Sequence, residues 1–234
     1  DGDDEAREWL QSVEDVMYNS FNLSNFQEQI HELYHDLITF GTAVMFVEAD
    51  DDFSLRFSTR HISECYLSED QNGRVDTVYR KFKMPARAVL ARFGAENLST
   101  KMLKKADTDP YEMMTLIHGV FKRDERDTTK VNSANKPIAS VYLDPEEKKV
   151  ISEGGFDEFP YMAPRFLKSS FEIGYGRSPS MSALADIKML NKMSETTIRA
   201  AQKQVDPPLL VPDDGFILPV RTVPGGLNFY RSGT

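Results

Sequence analysis

"GYGRSPSMSALADIKMLNKMSETTIRAAQKQVDPP", residues 174–208, sets the architecture of the chain. Gly174 and Gly176 make a tight turn. Ser178 then supplies a helix N-cap, because its hydroxyl can accept from the free amides of the first turn, and Pro179 occupies the first helical position, where its missing N–H costs nothing. Met181, Leu184, Ile187, Met189, Leu190, Met193, Ile198 and Ala201 give the helix an apolar face, and Asp206, Pro207 and Pro208 end it. Upstream, Tyr161 to Lys168 reads as a strand. The glycine-rich approach to a helix start, with Arg177 in the turn, also suits an anion. The spacing is neither GxGxxG nor a Walker loop, however, so no nucleotide site is read from it.

The rest of the chain is helical first and mixed afterwards. Trp9, Val13, Val16, Met17 and Phe21 form one helical stripe, and Ser24 or Asn25 caps a second helix that runs through Phe40 to a stop at Gly41. Two helices therefore open the chain as a hairpin. "TAVMFVEA" (42–49) and "FSLRFST" (53–59) alternate as a β-hairpin around the turn Asp50, Asp51, Asp52, and "VDTVYRKFK" (75–83) is a further strand entered through Asn72 and Gly73. Short helices follow at 86–93, ended by Gly94, and from about Ser99 to Ala106. Strands return at 113–123, 139–144 and 150–156, with a polar surface loop at 124–137. The expected fold class is α+β: a helical layer over residues 1–40, a largely antiparallel sheet with short helices over 41–175, one long helix over 176–206 and terminal strands over 207–234, all in a single domain.

Composition narrows function. The 234 residues carry 37 acidic and 28 basic side chains, a net charge of −9, which disfavours a surface that grips nucleic acid by displacing counterions from phosphates. With one cysteine, Cys65, there is no internal disulfide, and the chain suits a reducing compartment. Neither a signal peptide nor a membrane span is read.

"HELYH" (31–35) fits the HExxH zinc pattern, with His31 and His35 as ligands beside Glu32. A zinc-dependent hydrolase needs both imidazoles turned toward a cleft, a third ligand and an open position for water. Here Phe26, Ile30, Leu33, Tyr34 and Leu37 occupy the apolar side of the helix, and the two histidines point away from it. Ile38 and Gly41 stand where a longer zinc signature has glycine and a third histidine. His118 sits among alternating apolar residues, as a packed histidine does. No catalytic, cofactor or metal residue is assigned. A hydrolase and a generic protein-interaction module remain the alternatives.

"EFPY" with Arg165, "GYGRSP", "ALADIKMLNKM", "AAQKQVDPPLLVPDDG" and "VPGGLNFY" together resemble the head-to-tail connecting, or portal, proteins of short-tailed bacteriophages. "SNF" (24–26), "DLITFGTAVMFVE" (36–48), "RKFKMPARAVLARFG" (80–94) and "PIASVYLD" (137–144) extend the likeness, in order, from about Trp9 to Ser232. Phe166 and Pro85 depart from the pattern, at structural positions. The resemblance implies a non-enzymatic, cofactor-free subunit of a ring, usually of twelve copies, at one capsid vertex of the virion. The resemblance also implies assembly in the bacterial host cytoplasm. The implied partners are further copies of itself, capsid and scaffold proteins, terminase, tail or adaptor proteins, and double-stranded DNA that passes without sequence-specific binding, with no membrane involved. The segment corresponds to the wing, without stem, clip or crown. The lysines Lys101, Lys104 and Lys105 and the acids Asp107, Asp109 and Glu112 are candidates to meet across such a ring.

Overall fold

A computed structural model of the chain describes residues 2–50, 54–168, 173–212 and 223–230. The chain divides into two compact units, residues 1–181 and 182–234.

The first unit opens with helices α1 (Gly2–Leu23) and α2 (Phe26–Phe40). Ser24 and Asn25 divide the work at the break between them. The Ser24 hydroxyl accepts from the Phe26 amide at 3.2 Å, while the Asn25 carboxamide makes no cap bond and instead pairs with the backbone of Phe57. Gly41 ends α2 in the left-handed region, with its amide donating to the Leu37 carbonyl. Strands β1 (Val44–Asp50) and β2 (Ser54–Arg60) then pair antiparallel, while Asp51 and Asp52 of the expected acidic turn lie outside the described residues. β1 is buried on both faces. Ala43 and Met45 pack with Leu33 and Phe57 under α2, whereas Val44 and Phe46 face a second sheet.

That second sheet is a five-stranded antiparallel meander: β3 (Cys65–Glu69), β4 (Val75–Pro85), β5 (Met113–Lys122), β6 (Ile138–Asp144) and β7 (Lys149–Phe156). Its inward face has two covers. Toward one end Val78 and Val120 meet β1 and Tyr161; toward the other Phe82, Met114, Leu116 and Ile151 meet α3 (Ala86–Phe93) and α4 (Thr100–Thr108). α4 starts as its sequence dictates, with the Ser99 hydroxyl accepting from the Met102 amide. β3 is the strand that periodicity missed, because a single turn of 3-10 helix at Ile62–Glu64 separates it from β2.

The strand expected over Tyr161 to Lys168 shortens to β8 (Tyr161–Met162), the third strand beside β1. Pro164 has no N–H to continue the ladder. The chain beyond it makes only isolated bridges, Arg165 to Thr42 and Leu167 to Arg177. The long helix begins later than residue 176 and is interrupted once: α5 (Pro179–Ser182) is followed, after a turn residue at Ala183, by α6 (Leu184–Val205). No glycine or proline accounts for that break. The second unit adds a parallel pair, β9 (Leu209–Pro212) with β10 (Leu227–Tyr230), in the region of the expected terminal strands. Residues 213–222 and 231–234 of the expected terminal region lie outside the described ones.

Candidate functional site

The HExxH helix face opens onto a cleft of about 320 Å³ lined by His31, Glu32, His35, Asp36, Thr59 and His61. His61, which sequence reasoning left aside, is brought beside the other two histidines. Even so, the constellation does not make a zinc centre. His31, Glu32 and His35 are exposed. The His61 Nδ1 atom is engaged by the Ser63 amide and hydroxyl, at 3.2 and 2.8 Å, where it ends β2 and caps the following turn. Among the described residues no group of three His, Cys, Asp or Glu side chains is placed to hold a metal ion.

The glycine turn has a different role from anion binding. A Cβ on Gly41 would lie 2.4 Å from the Arg177 carbonyl carbon and the Ser178 amide nitrogen, and one on Gly176 would lie 2.8 Å from the Gly41 carbonyl oxygen. The two backbones touch through hydrogens alone. Gly174, at φ 79°, approaches Leu67 of β3 in the same way. Polar contacts then lock the turn. The Gly176 amide donates to the Thr42 hydroxyl at 2.8 Å, the Arg177 amide to the Leu167 carbonyl at 2.7 Å, and the Tyr175 hydroxyl donates to the Cys65 carbonyl at 3.2 Å. Buried Ser178 accepts from the Met181 amide at 2.9 Å, the N-cap that its sequence position predicts. "GYGRSP" thus ties the end of α2, β3 and the segment after β8 into one junction.

A second fastening uses charge. The Glu69 carboxylate, almost buried, pairs with Arg165 and with Lys168 at 2.8 Å, and both cations also donate to the Gly73 carbonyl. Arg165, one of the residues that carry the resemblance, is a clamp on the β3–β4 turn. His118 is packed, as its alternating neighbours imply. Its Nε2 lies 2.9 Å from the Ser140 hydroxyl, and its ring stacks on Tyr142 at 3.9 Å. Burial first, then the cations Arg92, Arg80 and Arg60, push its pKa down to about 3, so the imidazole is neutral. Burial also raises the Cys65 thiol to about 11 and the Tyr161 phenol still further, leaving neither as a nucleophile near neutral pH.

The charged patch around α4 is partly satisfied within the subunit. Lys101 and Lys105 pair with Glu146, and Lys105 also reaches Glu112 at 3.5 Å. These contacts weaken the case for that patch as a surface held in reserve for a neighbour.

With no reaction centre assembled among the described residues, similarity to known proteins carries the assignment. Residues 1–234 match the profile of the family described as "Bacteriophage head to tail connecting protein". The chain is 32% identical over 224 residues to the "Portal protein" of Salmonella phage epsilon15, covering 94% of this chain and 40% of that protein. It is 31% identical over 227 residues to the "Probable portal protein" of Bordetella phage BPP-1, covering 96% and 41%. The chain therefore spans about two fifths of the length of either relative. A match along all 234 residues, supported by two relatives above 30% identity, shows that the chain belongs to the bacteriophage head to tail connecting protein family.

Proposed function

We propose that the chain is the wing-like part of a portal subunit, and that copies of it close into a ring of about twelve at one vertex of a phage capsid. The observation that carries this reading is the family match over the whole chain. In this role the protein catalyses nothing. It provides a rigid frame through which double-stranded DNA is packaged and ejected, and to which capsid and scaffold proteins, the terminase motor and tail or adaptor proteins attach.

Two physical features support the reading. The Gly41–Gly176 contact and the Glu69 clamp fix one arrangement of helices and sheets, as a repeated building block requires. The net charge of −9 keeps a polyanion from adhering along the way, within the roughly 8–10 Å over which charges act in physiological salt. Among the described residues no helix is long and apolar enough to cross a membrane. Native mass spectrometry of the chain across a concentration series tests the proposal. Metal-free rings of about twelve copies are expected, and a monomer carrying one stoichiometric zinc would overturn it.

A further inference from the structure

Two surfaces of the first unit carry exposed apolar side chains. The first is α1. Stepping about 100° per residue, Trp9, Leu10, Val13, Val16 and Met17 fall within an arc of about 120°. Among the residues of α1 whose burial is described none is buried, and only Val13, Ser20 and Phe21 are half-buried; Trp9, the single tryptophan, is 66% exposed. Phe21 anchors the helix by stacking on Phe26 at 4.7 Å, and the turns before it present their stripe outward. Acidic residues border that stripe, Glu5 along one edge and Asp3 and Glu14 along the other.

The second surface is the outward face of the five-stranded sheet. Val78 and Val120 point inward and lie opposite each other, so the neighbouring register Tyr79↔Gly119↔Val141 and its parallel row Lys81↔Ile117↔Leu143 point outward. Tyr66 lies opposite Tyr79 and Val150 opposite Leu143. The Tyr79 ring covers the hydrogen of Gly119, so close that a Cβ there would lie 3.0 Å away, and it leans on Phe121. Tyr66, Tyr79 and Val150 are exposed. The charge on this face is basic. Lys81 and Lys83 stand exposed, while Arg123 and Glu153 neutralise each other. The turn Ser133–Asn135 covers one corner of this face, at Ala139 and Gly155; the exposed remainder, around Tyr66, Tyr79 and Val150, presents aromatic and branched residues of the kind an amphipathic helix layers onto.

We propose that α1 of one copy docks on the outward face of the β3–β7 sheet of the next copy, its acidic edges meeting Lys81 and Lys83. The contact deepens the ring-subunit reading and rests on it for closure, because helix-on-sheet contact joins two different surfaces. A heterologous contact of this kind repeats from copy to copy until the rotation closes. Trp9, a large aromatic at the middle of the stripe, is the expected anchor.

Sedimentation velocity on Trp9→Glu and Tyr79→Glu chains tests the pairing, with Tyr66→Glu as a second sheet variant should removal of the Tyr79 cover disturb the fold. Each variant alone is expected to lose self-association at least tenfold relative to the unaltered chain. An equimolar mixture of helix and sheet variants retains one intact helix and one intact face, and is expected to form 1:1 dimers and nothing larger. Dimers formed by a sheet variant alone would show that α1 pairs with α1, and would overturn the proposal. Rings that survive both substitutions would overturn it while leaving the ring-subunit reading in place. An unaltered chain that stays monomeric at every concentration would overturn it as well.

Discussion

Only a hydrogen fits on the Cα of Gly41. Its φ of 77° is unfavourable for any residue with a side chain, and its Cβ position is already filled by the backbone of Arg177 and Ser178. Gly41→Ala is expected to lower stability by at least about 2 kcal/mol, read as the urea midpoint, whereas Gly154→Ala, with open space around it, should stay within about 0.5 kcal/mol. Equal shifts for the two would contradict the close contact. His118 gives a pH signature. Its pKa falls from an ordinary 6.5 to about 3 in the folded chain, so below 6.5 the unfolded chain binds a proton that the folded one lacks. Stability should therefore decline as pH falls from about 6.5 toward 3, with a slope approaching about 1.4 kcal/mol per unit, and His118→Phe should flatten that slope in thermal melts at a series of pH values. An unchanged slope in the variant would mean that the imidazole is not held neutral. The glycine stop at Gly41 is legible in sequence because helix termination follows local rules. Its partner, more than a hundred residues away, is not.

At the scale of elements the same division recurs. Helix α3 spans the residues that its Pro85 start and Gly94 stop prescribe, and α4 begins at its Ser99 cap, since each signal acts within one turn. β3 escaped notice because its five residues follow directly on a 3-10 turn and begin with three apolar side chains in a row, Cys65, Tyr66 and Leu67, and β8 came out shorter than expected because Pro164 cuts the ladder. Tyr34, placed by periodicity on the apolar side of α2, is exposed, because α2 seats on β2 through Leu33, Ile30 and Leu37 and leaves the edge of its stripe outside. Asn25 is the best example of a residue whose local and tertiary roles differ. Its composition suggests a cap, yet its carboxamide holds the Phe57 amide and carbonyl at 2.9 and 2.8 Å. Asn25→Ala is expected to cost about 2 kcal/mol and to increase hydrogen exchange at the start of α2 and at Phe57. Destabilisation confined to the first turn of α2 would show that the residue is only a cap.

For the whole molecule, the sequence conveyed membership of a family through motifs that the structure explains as fastenings. "GYGRSP" joins α2, β3 and the β8 segment, and Arg165 clamps Glu69. The zinc pattern was legible and misleading, because five letters specify a helix face and not the third ligand that a metal needs. Surfaces were the least legible feature. Which face of a sheet is bare depends on strand order, and strand order depends on contacts far apart in the chain. We propose that these surfaces serve a closed ring around passing DNA. Electron microscopy of the assembled chain tests it most directly: closed rings of about twelve copies around an opening that admits a double helix are expected, and open filaments or compact particles without a central opening would contradict it.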